Sequence, residues 1–275
     1  MQLGFGKVFA VSLASLAIAA RAAFAADAPP TPPALPSIDT LVSNVLDRIV
    51  WGQKQTFGSQ YSFTRIKAVE ELKEDGTLSD RDEKQYEIFP ISGHPFVKWV
   101  AVNGKPLPRS DRLKEADRER TTRVQLAGVT TPAINKKPLP ITPEILAKYE
   151  LKVLGTELLN GRAMWVLSIK PKPGDLPINK IQDRLANKMA GKVWIDALEY
   201  EVAKADLHLT ADVKLVGGIV AVVRKFDYLF ERSRVDEGVW FTTRSEANIE
   251  GREVVLSKRL RYREESKDFK KVGAG

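Results

Sequence analysis

The chain has 275 residues, a formal net charge of +8, 28% charged side chains and no cysteine. The missing cysteine excludes disulfides, thiolate metal sites, thiol nucleophiles and a lipidated N-terminal cysteine, so an apolar core must hold the fold. The basic excess suits an anionic surface or acidic ligand, but no nucleic-acid module is spelled out and a solvated basic surface accounts for it more simply.

Lys7 precedes an apolar run from Val8 to Ala20, and Ala23-Phe24-Ala25 has the small-x-small form of a signal-peptidase site. Residues 1–25 are therefore expected to be a cleaved signal peptide, since the run falls short of the roughly 20 residues that span a bilayer. Losing Lys7 and Arg21 lowers the net charge to +6. About 250 residues remain, exported and soluble, enough for one large β domain. Residues 26–36, "ADAPPTPPALP", read as a Pro/Ala-rich tether.

Ser37 is an N-cap candidate, and Ile38, Leu41, Val42, Val45, Leu46 and Ile49 after it predict an amphipathic helix. From Phe57 the period changes to two. Strands are expected from Tyr61 towards Leu72, over 83–91 and over 96–102, with turns at Asp75-Gly76 and Asn103-Gly104. Residues 109–126 mix both signs of charge without an apolar stripe, the pattern of an exposed helix or a mobile segment. A proline-punctuated loop then leads to a short helix over 143–149.

Asn160-Gly161 turns a hairpin that sets Ala163, Trp165, Leu167 and Ile169 on one face. Ile178, Ile181, Leu185 and Met189 predict a second amphipathic helix over 178–189, ended by Gly191 as its C′ residue. A strand-turn-strand unit follows to Leu209. Three longer strands come next, roughly 217–232, 237–249 and 252–264, with turns at Gly217-Gly218, Glu237-Gly238 and Glu250-Gly251. The predicted fold is α+β, mainly antiparallel β: a half-open barrel of about ten strands in a single domain over 37–270, covered by two or three helices.

Catalytic chemistry is sparse. His94 and His208 are the only histidines, too few for a histidine metal site, and there is no nucleophile elbow, phosphate loop or dinucleotide fingerprint. No catalytic residue, metal or cofactor is expected, and the chain is read as a non-enzyme. A hydrolase of envelope polymers stays open because its paired carboxylates form in space rather than in sequence. The late strands carry bulk on both parities: Phe226, Tyr228 and Phe230 against Val223 and Leu229, and Phe241 against Trp240. Both faces of such strands must be covered, by the chain's own helices and barrel closure or by an apolar ligand.

"GKVWIDALEYEVAKADLHL" (191–209), "NGRAMWVLSIKPKP" (160–173) and "VNGKPL" (102–107) together resemble the outer-membrane lipoprotein-sorting, LolA-like group of periplasmic carriers. The resemblance implies an unclosed antiparallel barrel with helices over its mouth and an apolar hollow for acyl chains. The Lys-Arg-Pro segment of those carriers has no counterpart in "ISGHPFVKWV" (91–100), and the charged stretch 109–126 is an addition to their compact form. The expected function is a periplasmic binding protein for a lipid, a lipoprotein acyl chain or another amphiphile, with peripheral membrane contact and no nucleic-acid partner. The alternative is a regulatory or scaffold protein that binds an envelope protein with the same fold. Trp165, Trp194, Phe226 and Phe241 are the candidate ligand-facing residues.

Overall fold

The structure, a computed structural model, describes residues 34–131, 142–174, 181–215, 221–253 and 256–272. The expected signal peptide, most of the tether, Ile178 and Gly217-Gly218 lie outside them. No described helix is long and apolar enough to cross a membrane.

Helix α1 (Ile38–Gln53) starts as its sequence predicts. The Ser37 hydroxyl accepts the Thr40 N–H at 3.2 Å, and Asp39 lies in the first turn, where the helix dipole favours a negative charge. A 3₁₀ turn at Phe57–Ser59 leads into the meander of β1 (Tyr61–Leu72), β2 (Leu78–Ile91), β3 (His94–Val102) and the short β4 (Lys105–Pro106). Two of its turns are two-residue hairpins with positive φ at both positions, Ser92-Gly93 and Asn103-Gly104. The first stands just before His94, which opens β3.

Helix α2 (Arg109–Gln125) settles the charged stretch as an exposed helix with no buried residue. The short helix α3 (Pro143–Leu146) ends earlier than expected, because β5 (Tyr149–Leu159) already begins at Tyr149. It turns at Asn160-Gly161 into β6 (Arg162–Pro171). The helix expected over 178–189 is only the six-residue α4 (Ile181–Ala186), and β7 (Met189–Asp196) starts at the last of its supposed apolar positions. Gly191 is thus a strand residue, not a helix cap. A Cβ there would sit 2.0 Å from the Asp206 carbonyl oxygen of the neighbouring strand, so glycine is required by close backbone approach.

The remaining strands are β8 (Val202–Leu209), β9 (Val213–Leu215), β10 (Ala221–Asp236), β11 (Val239–Glu253) and β12 (Leu256–Lys271). The turn expected at Glu237-Gly238 is present. The one expected at Glu250-Gly251 is not, since both residues pair within β11. Gly251 faces a bulge at Val223–Lys225, where a Cβ would come within 2.4 Å of the Val222 carbonyl.

All twelve described strands join one antiparallel sheet in the order β4-β3-β2-β1-β12-β11-β10-β8-β7-β6-β5, with β9 on β10. The two ends of that order do not pair, so the sheet is an open, half-closed barrel wall. Packing explains the doubly apolar β6. On one face Trp165 and Leu167 join Leu41 and Val45 of α1 and Ile195 of β7; on the other Met164 and Val166 join Trp194, Ala203 and Trp240.

Candidate functional site

Residues directly opposite across an antiparallel ladder share a face, so the register traces the α1-covered face across the sheet. Val193 of β7 packs beneath α1 and is opposite Ala205, which is opposite Phe230, which is opposite Ser245. The next row on the same face is Leu207, Tyr228, Ala247 and Tyr262. Beyond it come Phe226, Ile249 and Leu260. This inner face therefore stays apolar from β8 to β12, and the cluster beneath α1 contains no residue of β10, β11 or β12. Leu207, Phe226, Tyr228, Phe230, Ile249 and Leu260 are all half-buried, neither sealed core nor free surface. Phe226 and Tyr228 stack with centroids 6.3 Å apart.

A polar group stands on the same face. Glu264, opposite Ser245, lies 3.2 Å from Arg65 Nε and 3.1 Å from Lys67 Nζ, and accepts the Tyr262 hydroxyl at 2.9 Å. Burial alone would raise its pKa, but these three partners outweigh it and hold the carboxyl below its ordinary range. The Tyr262 hydroxyl is pushed up to about 12, by burial first and by the Glu264 carboxylate second. The inner face thus offers an apolar strip with one fixed carboxylate and two cations at its β12–β1 side.

The loop from Asp196 to Glu201 anchors α1 to the sheet. Arg48 donates from Nε to Glu201 at 2.8 Å and from a terminal nitrogen to the Gly238 carbonyl at 2.6 Å, and its guanidinium lies 4.1 Å from the Trp51 ring centroid. Glu201 also pairs with Arg232 of β10, which donates to the Trp240 carbonyl at 2.7 Å. Asp196, 1% exposed, takes a two-point grip from Arg162 at 2.6 and 2.9 Å and caps the Leu198 and Glu199 N–H groups. Burial, and then the neighbouring Arg48 charge, push the Arg232 guanidinium down to about 10. Sequence reading missed this network because its members come from four separate segments. One signal was available: Arg48 falls on the same helical stripe as Leu41 and Val45, where a charge needs a buried partner.

The four residues named from the sequence are not gathered at one place. Trp165 lies in the core beneath α1, 5.3 Å from the Tyr200 ring, and its buried indole N–H has no hydrogen-bond partner among the described residues. Trp194 lies on the opposite face, donating to Glu157 at 2.7 Å beneath the Lys204 ammonium. Phe226 belongs to the half-buried inner strip. Phe241 packs with Tyr61, Phe63 and Phe269 in a four-ring group where β11, β12 and β1 meet. No group of three or more metal-capable side chains occurs among the described residues.

No family model and no curated protein matches the chain. Among solved structures it is similar to an outer membrane lipoprotein-sorting protein domain from Vibrio parahaemolyticus. That match has 11% identity and a TM-score of 0.34, covering 86% of this chain and 94% of that one. It is similar to a LolA superfamily protein from Nitrosomonas europaea, at 12% identity and a TM-score of 0.27, with 85% and 94% covered. A third is the MucA/MucB complex structure from Pseudomonas aeruginosa, at 11% identity and a TM-score of 0.25, with 84% and 99% covered.

Proposed function

We propose that this chain is a non-enzymatic binding protein of the periplasm that holds the apolar part of a lipid, acyl chain or similar amphiphile against its inner face. The supporting observation is the half-buried strip from Leu207 to Leu260, which continues the face packed by α1 but is not part of the core beneath that helix. Covering such surface is favourable by about 25 cal/mol per Å² of apolar area, before the ordering costs of association. α1 closes one part of the face, and its displacement would widen access. The test is to delipidate the protein and titrate it with a fluorescent fatty acid analogue. Saturable binding is expected, weakened about tenfold by Phe226→Ser and unchanged by Trp165→Phe. Unchanged fluorescence and thermal stability on lipid addition would sink the proposal.

A second reading, recognition of an envelope protein, is favoured by one feature. Strand β5 pairs only with β6 among the described strands, and it carries the exposed Leu154 and Leu158. Its outer backbone groups suit the addition of a partner strand. A bound protein whose attachment is abolished by a proline placed in β5, and not by Phe226→Ser, would favour this reading.

A further inference from the structure

We propose that the adjoining ends of β6, β7 and β8 form a binding site for a phosphate-bearing anion, separate from the inner face. A depression of about 750 Å³ opens there, and Ser168, Lys170, Lys172, Lys188, Lys192 and His208 line it. The register places it on the sheet face away from α1. Ser168 has the parity of Met164 and Val166 and is opposite Lys192, and His208 is opposite Ala190.

Charge is what distinguishes this depression. Among the described residues its lining includes four lysines and no acidic residue. None of the four makes an ion pair among the described residues, whereas Lys204, farther along the same face of β8, holds Glu231 at 3.3 Å and Lys148 holds Asp183 at 3.4 Å. Carboxylates stand at the margins: Asp206 is opposite Lys192, Glu150 is opposite Lys170, and Asp227 is opposite His208. Asp227 is engaged with Lys225 at 3.3 Å. Four lysines line one concavity with all four side chains exposed, so like charge is concentrated there without a fixed partner. A compact anion with several acceptor oxygens removes the repulsion and uses the lysine donors together with the Ser168 hydroxyl. The neighbouring walls, Leu154, Pro171 and Ala190, are apolar and suit a phosphate borne on a larger molecule.

Two sources share this chemistry, a lipid headgroup and a free phosphate compound, and the experiment separates them. The full chain is tested with inorganic pyrophosphate, with phosphatidylglycerol vesicles and with phosphatidylcholine vesicles at low ionic strength. Two variants, Lys170→Gln/Lys192→Gln and Lys172→Gln/Lys188→Gln, are compared with Lys114→Gln/Arg120→Gln on α2, which removes the same charge elsewhere. Each depression variant should weaken binding by about tenfold and the α2 variant by less than about twofold. Binding of pyrophosphate supports a free phosphate ligand, and binding of anionic vesicles alone supports a headgroup. Equal weakening by all three variants reduces the effect to bulk charge and overturns the site, as does failure of every probe to bind. Circular dichroism melts of the variants confirm that exposed lysines were removed without unfolding. Phe226→Ser, on the other face, should leave anion binding intact.

Discussion

Arg48 and Glu201, 153 positions apart, meet at 2.8 Å in a nearly closed environment, with 13% and 10% of their side chains exposed. The two ends of this bridge are not equivalent. Glu201 stands between two guanidinium groups, Arg48 and Arg232, whereas Arg48 has a second anchor in the Gly238 carbonyl. Glu201→Gln leaves two buried cations without their shared counter-charge and should cost about 3 kcal/mol. Arg48→Met keeps the helix apolar, relieves the repulsion on Arg232 and leaves Glu201 paired, so it should cost about 1–2 kcal/mol. Urea unfolding of both variants checks the order. If Arg48→Met proves the more damaging, Glu201 is not the hub.

The two tryptophans on opposite faces of β6 and β7 should respond differently to phenylalanine. Trp165 is buried with an unsatisfied indole N–H, so Trp165→Phe removes a desolvation penalty while opening a small void. These opposing effects should leave stability within about 1 kcal/mol of the parent. Trp194→Phe breaks the bond to Glu157 and the stacking beneath Lys204. A loss of about 1–2 kcal/mol is expected, read from denaturant midpoints, since the exposed Glu157 carboxylate is rehydrated. A larger loss at Trp165 than at Trp194 would contradict this account.

Local signals carried most of the fold. The Ser37 cap, the period-two strands and the Asn-Gly hairpins at 103–104 and 160–161 are decided by residues close in sequence, and each is where it was expected. Glycine misled at two places. Gly191 and Gly251 serve close strand approach rather than a cap and a turn, a distinction set by partners on β8 and β10. The double-sided apolar pattern of the late strands marked them as apolar on both faces, and their inner residues are half-buried without belonging to the core beneath α1. It did not reveal which residues line the inner strip, because parity depends on register and bulges such as Val223–Lys225 shift it. The charged networks were least legible. Their energetics depend on burial at Asp196 and Glu201, which only the assembled sheet creates.

Asp236 should contribute to acid sensitivity. Its carboxylate accepts from Lys271 at 2.8 Å, Tyr61 at 2.7 Å and the Glu237 N–H at 2.8 Å, and together these hold its pKa well below the usual carboxylate range. With a depressed folded-state value, its stabilisation is present above the unfolded carboxyl value of about 3.9 and is lost as pH falls through the folded value. Urea midpoints of the parent should therefore fall as pH drops from about 5 to about 2. Asp236→Asn should make that slope shallower without abolishing it, because Glu115, Glu119 and Glu264 are also held below their ordinary range. Identical slopes in the two proteins would show that the Tyr61–Asp236–Lys271 bridge is equally populated in the unfolded chain.

The two edges of the sheet are treated differently, and this yields the last prediction. Beyond its two pairs with β4, strand β3 has no strand on its outer side among the described residues. Its backbone is met there by side chains of α2: Glu115 accepts the Trp99 N–H at 3.0 Å, and Arg118 donates to the Val97 carbonyl. Lys98 ties the same helix through Glu119 at 2.8 Å, and Arg118 lies 4.2 Å from the Phe96 ring centroid. A helix with no buried residue is thereby held as an electrostatic cover over an edge that could otherwise pair with another chain. Glu115→Ala/Arg118→Ala should cost about 1–2 kcal/mol, since Arg118 is exposed but Glu115 is mostly buried and accepts the Trp99 N–H. It should also raise the average mass in sedimentation equilibrium as protein concentration increases, relative to the parent. High salt should move the parent part of the way in the same direction, by weakening the ion pairs but not the hydrogen-bond geometry. If the variant and the parent sediment alike at every concentration, α2 does not protect the β3 edge.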